Sequence, residues 1–210
     1  MKFLAAVISL ATVAVASVPG IPSEATARSL LSELAVAPSV DNGGYSRELF
    51  PHWKAVSGEA ECSARQVTSL TGSDSEYVLR RDGNNVVTGS DCYPTSGSWT
   101  CPFDGKTHTV PSQVSIDHMV PLKNAWISGA SSWTTTQRQA FANDIKGPQL
   151  WAVTTTTNSQ KGDKSPDSWK PALTGIHCDY AAAWVQVKSS YSLTVTAAEK
   201  SALESMLDSC

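Results

Sequence analysis

Apolar residues in this chain come mostly in short stretches between polar, turn-rich ones, and the one exception stands at its start. There Met1-Lys2 precedes an uninterrupted apolar run from Phe3 to Ala16, with Ala14-Val15-Ala16 in A-x-A spacing and Pro19 just beyond. This order predicts a secretory signal peptide over residues 1–16, because the run is shorter than the ~20 apolar residues a membrane-spanning helix needs. No later stretch is as apolar, so the mature chain is expected to be secreted and not held in a membrane. Between Pro22 and Pro38 the positions Ala27, Leu30, Leu31 and Leu34 recur at helical spacing. They predict one amphipathic helix, docked or part of a pro-segment, over residues 17–42, and Asn42-Gly43-Gly44 follows as a turn.

Residues 58–110 are rich in Gly, Ser, Asp and Thr, with short β-type runs such as Asn85-Val86-Val87 after Asp82-Gly83, and read as hairpins or ordered loops. From residue 111 the texture changes. A strand Val114-Ser115-Ile116 meets Asp117-His118-Met119-Val120-Pro121, and Thr134 with Gln137 predicts a helix start of the capping-box type. Gln149 to Val153 forms a second apolar run, and Thr154–Thr157 lead into a short polar helix bearing Asn158 and Lys161. Asp179 and Thr196 are candidate N-caps for two last helices, the second with Glu199 at the third helical position.

Composition and cysteines narrow the class. With 41% hydrophobic and 17% charged residues in 210, the chain can bury one core and shows no disordered or coiled-coil bias. Loss of residues 1–16 removes Lys2 and no acid, taking the formal charge from −3 to −4, so the whole surface is no magnet for a polyanion. Export makes disulfides the default for Cys62, Cys92, Cys101, Cys178 and Cys210, with one thiol left over, and the absence of a CxxC pair argues against structural zinc. A Cys178–Cys210 bridge would pin the C-terminal helices. Proximity in sequence suggests Cys92–Cys101 for the other bridge, with Cys62–Cys92 as its competitor.

Candidate chemistry concentrates between Asp117 and Lys164. A strand ending in Asp-His sends neighbouring side chains to opposite faces, and a bend at the strand end would bring both to one site. A neutral imidazole at His118 can take a proton from water, while Asp117 and the amide oxygen of Asn158 are hard donors suited to Mg²⁺ or Mn²⁺. Together they suggest metal-assisted attack on a phosphate ester.

These residues, with the stretches around them, resemble a known family. Asp117-His118-Met119-Val120-Pro121-Leu122, Ala125 to Ala130, Phe141 to Asp144, Pro148 to Val153 and Asn158 to Lys164 are similar to the secreted HNH endonucleases related to the GmrSD C-terminal domain. The resemblance extends to Gly44-Tyr45-Ser46-Arg47, Phe50-Pro51-His52-Trp53 and Cys178 to Ala181 with Trp184, covering about residues 43–210. It implies an α+β fold with a ββα-metal (His-Me finger) core at about 112–171, embedded in further helices and loops and stabilised by disulfides. It also implies His118 as general base, and Asp117 and Asn158 as ligands of one divalent cation, Mg²⁺ or Mn²⁺. Gln149 stands where the family usually has the Asn that braces the loop carrying the base, and offers the same amide on a longer stem. The resemblance favours Cys62–Cys92 as the second bridge, leaving Cys101 free.

The implied activity is hydrolysis of phosphodiesters in DNA, with RNA as a second candidate substrate and little sequence preference. No protein partner is evident, and a monomer is expected. Six basic residues against four aspartates over 117–171 make the motif region locally basic, with Lys161, Lys164 and Arg138 as candidates for phosphate contact. Two rivals are a silent secreted binding protein on the same fold and a metal-dependent hydrolase of another ester. Of the seven tryptophans, Trp126, Trp133, Trp151, Trp169 and Trp184 are expected in the core.

Overall fold

The computed structural model describes residues 18–52, 73–89 and 93–210. The expected signal peptide and the Cys62–Cys92 bridge lie outside the described residues. Within them the chain is a mixed α/β protein of seven helices, a three-stranded sheet and a separate two-stranded one. No helix among the described residues is long and apolar enough to cross a membrane.

Helix α1 (Glu24–Glu33) starts where the Ser23 hydroxyl accepts from the Thr26 amide, and it buries Ala27 and Leu31. Its partners are the two C-terminal helices, α6 (His177–Ser190) and α7 (Ala197–Leu207). Past α1 the chain stays tied to the C-terminal region through a parallel bridge between Val36 and Val195. Helix α6 is the centre of the main core: Tyr180, Ala181, Ala182, Ala183, Trp184, Val185 and Val187 are all buried. A helix apolar on most of its faces needs cover on each, and its three consecutive alanines let neighbours come close.

The predicted capping boxes at Thr134, opening α4 (Thr135–Ala142), and at Thr196, opening α7, are both present. Asp179 is not an N-cap. A 3-10 turn over Thr174–Ile176 runs straight into α6, so the helix begins at His177 and Asp179 falls in its first turn, where a negative charge suits the helix dipole.

The region read as hairpins and loops contains a helix, α2 (Ser73–Asp82), ahead of strands β1 (Asn84–Thr88), β2 (Pro94–Thr100) and β3 (Thr107–His108). Helix α2 is held by packing more than by its own composition. Val78 and Leu79 are buried against Trp99, whose indole N–H donates to the Leu79 carbonyl at 2.7 Å. Trp151 and Trp184 are fully in the core, and Trp126, Trp133 and Trp169 pack half-buried against it.

Strands β4 (Val114–His118) and β5 (Leu150–Thr154) pair antiparallel, with Asp117 opposite Trp151 and His118 opposite Leu150. Both faces of the pair are covered. Val114, Ile116, Leu150 and Ala152 meet Val78, Leu79 and Trp99, while Trp151 and Val153 belong to the main core. Helix α5 (Thr155–Lys161) follows β5 without a loop and packs on both strands. Its junction is held by Asp104, which accepts from the Thr154 and Thr157 hydroxyls at 3.2 and 2.7 Å. The helix ends at Gly162, whose φ of +54° is open to glycine at little cost.

Cys178 and Cys210 form a disulfide across 32 residues, clamping the start of α6 to the end of α7, and Cys101 is a buried free thiol. Closing a loop of this size removes unfolded-state entropy equivalent to about 3–4 kcal/mol. Replacing both cysteines by serine is expected to lower the urea unfolding free energy by up to that amount. Peptide mapping without reduction should recover the two joined.

Candidate active site

The end of β4 opens into a cleft of about 260 Å³ lined by Tyr45, Arg47, Asp117, His118, Lys123, Asn158 and Asp163, among others. Three of the sequence-predicted residues therefore meet there. Asp117 and His118 leave the strand on opposite faces, and both reach the cleft because it lies at the strand's end.

His118 is buried, and its Nε2–H donates to the Ala142 carbonyl at 2.9 Å, since a carbonyl can only accept. This bond selects the neutral tautomer with its basic lone pair on Nδ1. Burial pushes the imidazole pKa down to about 3, the Ala142 bond opposing it only in part and the nearby Arg47, His52 and Lys161 adding to the depression. His118 thus stays neutral throughout the physiological range. The ring of His52 stands edge-on to it, with centroids 6.3 Å apart.

Asp117 faces Lys161, whose ammonium lies 2.9 Å from both carboxylate oxygens. The hydrogen bond goes to Oδ1, and Oδ2 accepts none although it is buried. Burial raises the Asp117 carboxyl to about 6, with Lys161 pulling it back down. Lys161 is itself 0% exposed and also donates to the His118 carbonyl at 2.8 Å. It was expected to reach phosphate. Instead it points inward, because a three-residue step from Asn158 fixes the helix face but not the direction of a long stem.

Asn158 sits one turn earlier on α5. Its amide N–H groups donate to the Ser115 hydroxyl at 3.0 Å and to the Ile116 carbonyl at 3.4 Å, which leaves Oδ1 as the end of the amide available to the cleft. Asp117 Oδ2, which makes no hydrogen bond besides its 2.9 Å ion-pair contact with Lys161, and Asn158 Oδ1 fit a hard cation that keeps most of its coordination for water and substrate oxygens. Among the described residues no three His, Cys, Asp or Glu side chains are grouped as an alternative ligand set.

Gln149 is 0% exposed and closes two hydrogen bonds on one residue: its Nε2 donates to the Val120 carbonyl at 2.9 Å and its Oε1 accepts from the Val120 amide at 3.1 Å. The turn between His118 and helix α3 (Leu122–Ile127) is thereby fixed to the residue that leads into β5. Arg138 is not at the cleft. Its guanidinium donates to the Leu49 carbonyl at 2.8 Å and to the Trp133 carbonyl, and stacks over Trp126. A buried guanidinium needs acceptors on every side, and backbone carbonyls supply them here. Lys164 is exposed and bends back to the Gln160 carbonyl at 2.6 Å.

Four of the cleft residues named above, Tyr45, Arg47, Lys123 and Asp163, were not among the candidate site residues read from the sequence. Tyr45, Arg47 and Asp163 lie in stretches that carry the family resemblance, and that was the available signal.

Residues 69–206 match the family described as GmrSD restriction endonucleases, C-terminal domain, and the chain belongs to that family. It is also similar, at 55% identity over all of its length and 98% of the relative's, to an uncharacterized secreted protein of Arthroderma benhamiae. No solved structure matches.

Two outcomes are expected from this geometry. Gln149→Ala leaves both Val120 groups buried without partners and should cost about 2–4 kcal/mol in chemical unfolding. The second concerns pH. The unfolded chain's histidine takes up a proton near pH 6.5 that folded His118 refuses until about 3, so its contribution to stability is present above 6.5 and is lost as pH falls through that window. Asp117, with its raised pKa, acts in the opposite sense. Unfolding in EDTA should therefore compare the parent with His118→Gln, in which the acid-side loss attributable to this residue, at most about 1.4 kcal/mol per pH unit, disappears.

Proposed function

We propose that this member of the GmrSD C-terminal-domain family is a secreted, metal-dependent nuclease with a ββα-metal core formed by β4, β5 and α5. The observation that carries the reading is a neutral histidine, its tautomer set by the Ala142 carbonyl, opening on the same cleft as two oxygen donors. Family membership supports phosphodiester chemistry, and the secreted relative supports an extracellular site of action.

In this reading His118 Nδ1 takes a proton from a water molecule as the water oxygen forms its bond to phosphorus. The bond from phosphorus to the 3′ oxygen breaks in line, and the departing oxygen is protonated from solvent, leaving a 5′-phosphate. Mg²⁺ or Mn²⁺ held by Asp117 and Asn158 would supply stabilisation of charge on the phosphate and the leaving oxygen. The low pKa that keeps His118 deprotonated also makes it a weak base, and a phosphate anion beside the ring raises its proton affinity when it is needed. Lys161 holds the carbonyl of the base itself, and Gln149 the backbone of Val120 just after it. With contacts made to phosphate, cleavage proceeds with little regard to base sequence, on DNA first and on RNA as a second substrate.

Incubating the purified protein with plasmid DNA and with RNA, with and without EDTA, tests the reading. Chelator-sensitive cleavage is expected. His118→Ala should lower turnover by a factor on the order of 10²–10⁴ at any metal concentration. Asp117→Ala and Asn158→Ala should first shift the Mg²⁺ titration. Intact nucleic acid in every reaction would favour a binding protein or a hydrolase of another ester.

A further inference from the structure

The other cationic side chains in and around the candidate site already have partners within the protein. Lys161 is buried on Asp117 and Arg138 on backbone carbonyls, the exposed Lys164 bends back to the Gln160 carbonyl of α5, and Lys123 hangs between Asp41 and Asp163 at 3.8 and 3.7 Å. Arg47 differs. It lines the cleft beside Asp117 and His118, and the only side-chain hydrogen bond it makes among the described residues runs from Nε to His52 Nε2 at 3.2 Å. Its two terminal nitrogens, the fork that fits two oxygens of one phosphate, remain open to the cleft.

The segment that bears Arg47 is held firmly although Arg47 itself is exposed. Phe50 is 0% exposed and meets Trp126 and Phe141 edge-on and Tyr45 at a tilt, with centroids 6.1 to 6.4 Å apart. Arg138 grips the Leu49 carbonyl and the Asn143 amide the Pro51 carbonyl, at 2.8 and 2.7 Å. His52 donates from Nδ1 to the Phe50 carbonyl at 2.6 Å, which makes its Nε2 the acceptor that Arg47 requires. The guanidinium is thus aimed before any ligand arrives.

We infer that Arg47 binds a phosphate of the nucleic-acid substrate at the His118 cleft, and that His52 is the residue that positions it. The inference rests on the nuclease reading and names a contact for it. Binding is measured in EDTA, in a His118→Ala background that prevents cleavage, as the anisotropy of a fluorescein-labelled 20-base-pair duplex across a series of NaCl concentrations. Arg47→Ala should weaken binding roughly tenfold or more and make the slope of log K against log salt shallower by about 0.9, the signature of one lost phosphate contact. Arg47→Lys should keep the slope while losing part of the affinity, because it keeps the charge and loses the fork. His52→Ala should weaken binding when Arg47 is present and have no further effect on Arg47→Ala, which a merely structural role for His52 would not produce.

Thermal unfolding of each variant at the parent's midpoint shows that the change is local, and a lowered midpoint with a shallower slope in Arg47→Ala but not in Arg47→Lys still reports the contact. Parental affinity and slope in Arg47→Ala, with the unmodified protein cleaving DNA, overturn the assignment of Arg47 alone. Failure of the unmodified protein to cleave any nucleic acid overturns the nuclease reading and this inference with it.

Discussion

A single buried ammonium group ties the candidate site together. Lys161 places an amine where no solvent reaches it; burial pulls its pKa down while Asp117 holds it up, and its partners are the Asp117 carboxylate and the His118 carbonyl. Both partners lie at the end of β4, whereas the lysine comes from the end of α5. The pair therefore fixes how the helix lies across the strands, and with it the relation of Asn158 to Asp117. Removing one member of such a pair typically costs about 3–5 kcal/mol, because the other is left uncompensated. The left-handed Gly162 sits immediately after this lysine, so the chain turns away as soon as the charge is placed.

The same device recurs in the C-terminal helices. Lys188, also 0% exposed, lies 3.2 Å from Glu199 and donates to the Ser128 hydroxyl and the Thr194 carbonyl, while Glu199 accepts from the Trp184 indole at 2.6 Å. Glu199 is also the capping-box residue of α7, so one carboxylate sets a helix start and neutralises a buried cation. The ammonium groups of both internal ion pairs, Lys161 and Lys188, lie over the Trp184 ring, 6.0 and 5.9 Å from its centre. The tryptophan face offers each ammonium a favourable quadrupole in an otherwise apolar setting.

The parts of this architecture that were legible in the sequence were those written in contiguous residues. The β4, β5 and α5 segments follow from apolar runs and a polar helix, and the Thr134 and Thr196 boxes from four-residue spacings. Helix α2 was not legible, since Ser73-Asp74-Ser75 looks like loop and its apolar positions are too few to show a period; it is Trp99, far along the chain, that gives it a reason to form. Lys161 and Arg138 were misread for a related cause. Sequence marks a residue as charged, but whether that charge faces water or an internal acceptor depends on groups tens of residues away. The Tyr45 to His52 stretch meets the β4 end only through tertiary packing, and local pattern is blind to that.

The stretch from Val36 to His52 carries a consequence for how the molecule is divided. It lies entirely outside the residues that match the family, 69–206, yet it forms one wall of the cleft through Tyr45 and Arg47, and its backbone satisfies Arg138 and Asn143. The segment recognisable by similarity is therefore smaller than the physical unit that makes the site. A fragment cut at the similarity boundary would keep the Asp117-His118 pair and Asn158, yet would take the Leu49 carbonyl from Arg138 and the Pro51 carbonyl from Asn143 and leave the cleft open on one side. Inheritance and mechanics draw the border of this domain in different places.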